Sequence, residues 1–388
     1  MAAGAVLLGT GCTPQAAEPT SAPSAAPATV PPTAAAPAAA APASPVPATA
    51  APARVATAVP AVTATAKSAP SAAPASPVPS TAITAGAPAR ADLMRISPSV
   101  SSRVVRTHHS GVWNGDTLSP DVLSQILDAS ISKLTGLNDA GSAWKALFDP
   151  GERIAIKVNT IAGSSAWTHV PLVNAVAARL QANGIPAENI FIYDRTSSEL
   201  RDAGFRLNPS GPGVRCLATD NKYTAAGLVA GHAVKLSNVL LSCDALINMP
   251  LVKQHGMAGF SFAMKNHYGT FDQPSNFHYG QEIRHGLAEL NALKPIKDKT
   301  RLIIGDALTL VLGNNWDNPI TSDSLFMSFD PVAHDTLGLK LLSETMTAQG
   351  RNPAANLKLA GYYLASGVDV GLGTNDPAHI DFVETKLA

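Results

Sequence analysis

The amino-acid composition changes abruptly near residue 91, and that break constrains the fold more than any motif does. Between Thr13 and Arg90 the only charged side chains are Glu18, Arg54, Lys67 and Arg90, and nearly everything else is Ala, Pro, Ser, Thr or Val. The stretch has no aromatic residue and no apolar period of 3.6 or 2 residues, so packing has nothing with which to offset the entropy of ordering it. Residues 13–91 are therefore expected to form a long disordered linker, extended at about 3.1 Å per residue where prolines are dense. Its Ser/Thr/Pro content also suits O-glycosylation. Folded structure must come from residues 92–388, enough for one large domain with its own core.

Met1 to Cys12 reads M-A-A-G-A-V-L-L-G-T-G-C. It is short, apolar and rich in small residues, and it ends on a cysteine where the linker begins. It resembles the end of a bacterial lipoprotein signal peptide, which predicts export to the cell envelope and membrane anchoring through a lipidated Cys12. Leu8 stands one place further out than that pattern has it, and no basic stretch precedes the apolar run. A start assigned too far downstream would account for the latter, with a twin-arginine signal lost. The segment is too short to span a bilayer. Lys plus Arg and Asp plus Glu balance at 28 each, and no basic run stands out, which argues against a nucleic-acid partner. Oligomeric state is not legible.

The periodicity of residues 92–388 alternates between helix and strand. Ser119-Pro120-Asp121 opens a helix with a cap, a first-turn proline and an acid. Leu123, Leu127, Ile131 and Leu134 give it one apolar face, and Gly136 closes it. Strands are expected over Arg153–Val158, Asn189–Tyr193, Ala245–Met249, Arg301–Gly305 and Leu325–Phe329. Helices are expected over Pro171–Ala182, Gly280–Leu293, Pro331–Leu342 and Pro353–Leu364. The first strand, its helix and the second strand make a βαβ unit, so the fold class is α/β, a mostly parallel central sheet flanked by helices.

In such sheets ligands bind beyond the carboxyl ends of the strands. Lys157 and Asn159 close the first strand, Asp194 the second, and Asp306 a later one, while Lys253 and His255 follow the Ala245–Met249 run. The most unusual segment is Asn248 to Phe271, which gathers Lys253, His255, Lys265, Asn266 and His267 among several glycines that would let backbone approach a ligand. Lys253 and Lys265 could hold a carboxylate or phosphate, or act as base or nucleophile if desolvated. His255 is a candidate proton shuttle. Lys253, His255, Lys265, Asp194 and Asp306 are thus the candidate catalytic residues. Lys157, Asn159, Asn266, His267 and Asp335 are the candidate substrate-binding ones. Each also has a structural reading: a strand-end Asp as a turn former, the lysines as a solvated rim, His267 as a helix cap.

His108 and His109, expected after an edge strand, and His278 and His285 could join His255 and His267 in a metal site, but no ligand spacing supports one. Solvated or core histidines fit better, and a metal or other cofactor stays undetermined. His334 lies beside Asp335 on the helix that Asp330 opens. Cys216 and Cys243 could form a disulfide or remain buried thiols. Without C-x-x-C no built-in iron–sulfur cluster is expected. Nor is there a G-x-G-x-x-G, P-loop or G-x-S-x-G motif.

Taken in order, K-V-N at 157–159, T-H-V-P-L-V-N-A-V at 168–176, I-Y-D at 192–194, K-Q-H at 253–255, M-K-N-H-Y-G at 264–269, I-G-D at 304–306 and D-P-V-A-H-D at 330–335 resemble the domain of unknown function 362 family. The likeness runs from Arg153 to Leu342. It implies an α/β domain, often exported, that in many members carries ferredoxin-like cysteine motifs. This chain lacks those cysteines and has Val158 where the family often has proline. A fainter likeness links the Lys265-Asn266-His267 loop to the cofactor-bearing loop of lactate racemase-type enzymes. Two functions are compatible with these residues. One is an extracytoplasmic enzyme acting on a small anionic substrate. The other is a non-catalytic cell-surface binding protein for a small anion or metal complex.

Overall fold

Alternation along the strands explains why the sheet is covered on both faces. In β1 (Ser102–His109), β2 (Ile154–Lys157), β3 (Ile190–Asp194), β4 (Arg215–Ala218) and β5 (Ala245–Asn248) almost every side chain is at least half buried. Successive residues point to opposite faces. Ile154, Ile156, Ala245 and Ile247 join one core with Leu123, Leu127, Trp144, Val173 and Val176. Ala155 and Leu246 join the other, with Val332, Leu339, Tyr363 and Phe262. The first face is covered by α1 (Pro120–Thr135), α2 (Ala140–Leu147) and α3 (Val170–Ala182).

The chain continues through β6 (Leu251–His255), β7 (Gly259–Ser261), β8 (Thr300–Val311), β9 (Ile320–Ser328) and β10 (Ile380–Leu387). The second face carries the short α4 (Ala263–Asn266), α5 (Leu287–Ala292), α6 (Pro331–Ala348) and α7 (Ala354–Asp369). Among the described residues the sheet has ten strands, in the order β10-β1-β9-β8-β5-β2-β3-β4, with β6 paired to both β7 and β8. From β8 to β4 all neighbours are parallel. β9 runs antiparallel to β8 and to β1, and β10 lies parallel to β1. The mostly parallel sheet follows from the βαβ spacing. This computed structural model describes residues 89–94, 101–161, 166–280, 282–313 and 318–388, within a unit spanning 81–388. The signal-like segment with Cys12 and the linker up to residue 88 lie outside the described residues.

Several expectations need correction. His108 and His109 belong to β1, which is paired on both sides, so they follow no edge strand. The run from Gly280 to Leu293 is a turn of π-helix, Glu282–Gly286, leading into α5. Lys253 and His255 do not trail a strand but form one. Pro250 ends β5, and the chain re-enters the sheet as β6, with Lys253 opposite Val311 of β8 and Ser261 of β7. Cys216 and Cys243 are both free and buried, and burial pushes each thiol up to about 11. Among the described residues no helix is long and apolar enough to cross a membrane.

Two buried groups set the position of α4. Asp335, on α6, accepts the amides of Ala263 (2.7 Å) and Met264 (3.0 Å), so a carboxylate from a distant helix caps a helix whose own Phe262 cannot. His334, next to it, stacks on Phe262 with ring centroids 4.3 Å apart. Gly305 of β8 leaves the room for that stack. A Cβ there would meet Phe262 Cζ at 2.3 Å and His334 Nε2 at 2.5 Å.

Asp335→Ala should therefore cost about 2–4 kcal/mol, since two buried amides lose a charged acceptor; a smaller drop in denaturant midpoint would mean that α4 is held by packing alone. Gly305→Ala should cost about 1–3 kcal/mol through overpacking, read from the same unfolding curves.

Candidate functional site

The strand order brings the polar residues at the carboxyl ends into one place. Asn248, Lys157 and Tyr193 are register partners across β5, β2 and β3, and Asp194 follows on β3. Lys157 Nζ donates to Asp194 Oδ1 (2.7 Å) and to the carbonyl of Val158 (2.6 Å). Asp194 also accepts the Arg195 amide and, on its other oxygen, the amide and hydroxyl of Thr160, all at 2.8 Å. Its acceptor capacity is filled. Burial lowers the Lys157 ammonium from its ordinary value, and Asp194 pulls it back up. Gly269 packs directly on this pair, and a Cβ there would lie 2.3 Å from Asp194 Oδ1 and 2.7 Å from Lys157 Nζ. The glycine is required for that close approach.

Asn266 is the hub of the network behind the pair. Its Oδ1 accepts from Asn159 Nδ2 (3.2 Å) and Lys157 Nζ (3.4 Å), while its Nδ2 donates to Asn248 Oδ1 (2.7 Å) and the Lys157 carbonyl (3.3 Å). Asn248 in turn donates to the Ala263 carbonyl (2.9 Å) and to His267 Nε2 (3.4 Å). His267 is fully buried, and its pKa falls to about 3, so the ring stays neutral.

In front of this network lies a cavity of about 530 Å³, within the range of small-molecule sites. Lys157, Asn159, Asp194, Lys253, His255 and Lys265 line it. Asn266 and His267 stand behind it, without lining it. Asp306 and Asp335 are elsewhere: Asp306 accepts both the amide and Nδ1 of His169 at 2.8 Å, and Asp335 caps α4. Sequence reasoning missed Arg195, Glu199 and Tyr268 of the lining, and it weighed His278 only as part of a metal site. The fold is what places His278, just after the 3₁₀ turn Pro274–Phe277, on the lining.

The two lysines differ. Lys253 Nζ donates to Asn159 Oδ1 and to the carbonyls of Ile161 (3.1 Å) and Ala166 (3.2 Å), so all three N–H groups of an ammonium are used. Among the described residues Lys265 Nζ has His278 Nε2 at 3.5 Å and the face of Tyr268 at 4.4 Å. Burial draws both down to about 7, while the three oxygens around Lys253 favour its charged form. Neither has a carboxylate within ion-pair distance among the described residues, whereas Lys157 pairs with Asp194 and Arg195 with Glu199. The lining thus carries two lysines with no carboxylate partner among the described residues.

Both cavity histidines are fixed in one tautomer. His278 donates Nδ1–H to the Pro274 carbonyl (2.7 Å), which leaves Nε2 to accept from Lys265. His255 Nδ1 accepts the amides of Met257 (3.2 Å) and Ala258 (3.0 Å), so its proton sits on Nε2. Burial, with Lys265, His278 and Lys253 nearby, lowers His255 to about 3. At neutral pH it is a neutral donor. Among the described residues no group of three or more His, Cys, Asp or Glu is placed to hold a metal.

No curated protein matches the sequence. Among solved structures, the lactate racemase apoprotein from Thermoanaerobacterium thermosaccharolyticum is similar over 63% of this chain and 58% of its own, at 12% identity and a TM-score of 0.40. A Thermotoga maritima protein of known crystal structure is similar over 66% of this chain and 60% of its own, at 12% identity and a TM-score of 0.33. The chain thus spans under two thirds of the length of either. Residues 154–340 match the family described as Domain of unknown function (DUF362).

Proposed function

We propose that this chain is an enzyme of the cell envelope, exported and held by a lipidated Cys12, that acts on a small anionic substrate in the cavity at the carboxyl edge of its sheet. The anchoring part of this reading rests on the Met1–Cys12 pattern alone. The anion part rests on one observation: Lys253 and Lys265 are buried on the cavity lining with no carboxylate partner among the described residues. An uncompensated buried ammonium is costly, and an anionic ligand relieves that cost. His255 adds a fixed Nε2–H donor.

For catalysis, Lys265 is the group with chemistry left. Asp194 is committed to Lys157 and Thr160, Glu199 to Arg195, and Lys253 to three oxygens. Against a bound anion Lys265 is an ammonium, so it would give a proton to the substrate or stabilise negative charge that develops on it. Asp306 and Asp335, bound to His169 and to α4, serve the site only by holding its walls. That few groups remain free also favours the second reading, a binding protein for the same anion without turnover. Product formation from a bound anion separates the two.

Calorimetric titration of the full chain with acetate or inorganic phosphate tests the anion site. Lys265→Met should weaken binding roughly ten- to hundredfold, as expected for loss of a charge-assisted bond, with the unfolding midpoint little changed. Lys253→Met should weaken binding and also lower stability by about 2–4 kcal/mol, because the carbonyls of Ile161 and Ala166 lose their donor. Unchanged affinity in both variants would end the proposal.

The pH dependence has a definite sign. Lys265 is charged below about 7 in the free protein, and a bound anion raises that value. Affinity should fall as pH rises through 7, and binding between pH 7 and 9 should take up protons. Titrations in buffers of different ionisation enthalpy measure that uptake; none detected would mean that Lys265 does not contact the anion.

A further inference from the structure

The cavity is larger and more apolar at its mouth than a bare inorganic anion needs. About 530 Å³ is room for about eighteen water-sized groups, at the ~30 Å³ that one water takes in the liquid. A carboxylate or phosphate would occupy a small part of it. Around the opening stand Ile161, Met257 and Tyr279, which are 47%, 39% and 65% exposed and also line the cavity.

Single exposed apolar side chains are ordinary on protein surfaces. These three are not scattered. Ile161 follows β2, Met257 lies in the turn between β6 and β7, and Tyr279 follows the Pro274–Phe277 turn, so three separate segments bring them to one mouth. Deeper in, Val311 and the ring of Tyr268 continue an apolar wall down to Lys265, whose ammonium lies on that ring. The lining therefore carries cationic and apolar side chains together.

We infer that the ligand of this cavity is an amphiphilic anion: a carboxylate or phosphate head held at Lys265 and His255, with an apolar body of several carbons running past Tyr268 to Ile161, Met257 and Tyr279. This inference rests on the anion-site reading and adds the class of substrate to it. The apolar body is what fills the volume that a bare anion leaves empty. It also removes the exposed rim side chains from water, which is favourable in proportion to the area buried.

The test is a chain-length series on the full protein, with acetate, butanoate, hexanoate and octanoate titrated under one set of conditions below their micelle concentrations. Affinity should rise about three- to fourfold per added methylene until the tail passes the rim. In Met257→Ser/Tyr279→Ser that increment should shrink toward one, with octanoate losing the most. If acetate and phosphate bind but longer tails bring no gain, the amphiphilic class is wrong and the anion site stands. If no member of the series binds, both readings fail. The wild-type series decides the question by itself, so the outcome does not depend on how well the double variant folds.

Discussion

The hydrogen bonds of Asn266 are the constraint on which the working edge of this fold depends. A primary amide has two donor protons and two acceptor lone pairs, and all four are used, toward Asn159, Lys157 and Asn248. The partners sit on or just beyond two parallel strands, while Asn266 comes from α4, more than a hundred residues after Lys157 in sequence. A residue without both functions could not bridge these elements. Aspartate would offer acceptors only, leucine neither. Because the network is buried, each lost bond would leave an unsatisfied polar group in a medium of low dielectric, so the arrangement is either complete or costly. It holds the backbone that presents Lys265 and Gly269 to the cavity.

That rigidity makes the charge imbalance of the lining meaningful. Cations on a mobile rim would find water or a passing counter-ion at little cost. Lys253 and Lys265 are each only 8% exposed; Lys253 is carried on a strand paired on both sides, and Lys265 on the helix that the network and the Asp335 cap pin down. The ion pairs nearby show what balance looks like in this protein: Lys157 with Asp194, and Arg195 with Glu199. This edge thus holds two neutral pairs for structure and, on β6 and α4, two lysines with no carboxylate partner among the described residues.

Much of the fold was legible because it rests on local rules. The Ser119-Pro120 start, the apolar stripe of α1 and the βαβ spacing around α3 are nearest-neighbour signals, and they placed the parallel part of the sheet. The carboxyl ends of the parallel strands in turn bring Lys157, Asn159, Asp194 and Lys253 to one location, which the sequence pattern already implies. What was not legible depends on long-range pairing. Nothing local tells Leu251–His255 to re-enter the sheet after Pro250, since its partners are Asp306, Val311 and Ser261. Asp306 looked like a site residue because it ends an I-G-D motif, yet its carboxylate is taken by His169 across the sheet edge. Asp335 shares a motif with His334, but serves α4. A motif reports that a side chain matters and leaves open whether it faces the ligand or the backbone behind it.

The hydrogen-bonding polarity of the cavity narrows the ligand further than charge does. Asp194 has no lone pair to spare, and Glu199 is engaged by Arg195. His278 directs its acceptor nitrogen at Lys265, and His255 turns its acceptor nitrogen toward the backbone. Of the cavity's imidazole and ammonium groups, those left facing the space are donors: the Nε2–H of His255 and the remaining N–H groups of Lys265. A cationic ligand, such as an amine or a guanidinium, would meet the two lysines and, among the described residues, no carboxylate that is not already paired. A ligand that only accepts, through two or three clustered oxygens, satisfies both residues at once. Tautomer and charge therefore select the same kind of head group, although one is set by backbone amides and a carbonyl and the other by the absence of a carboxylate.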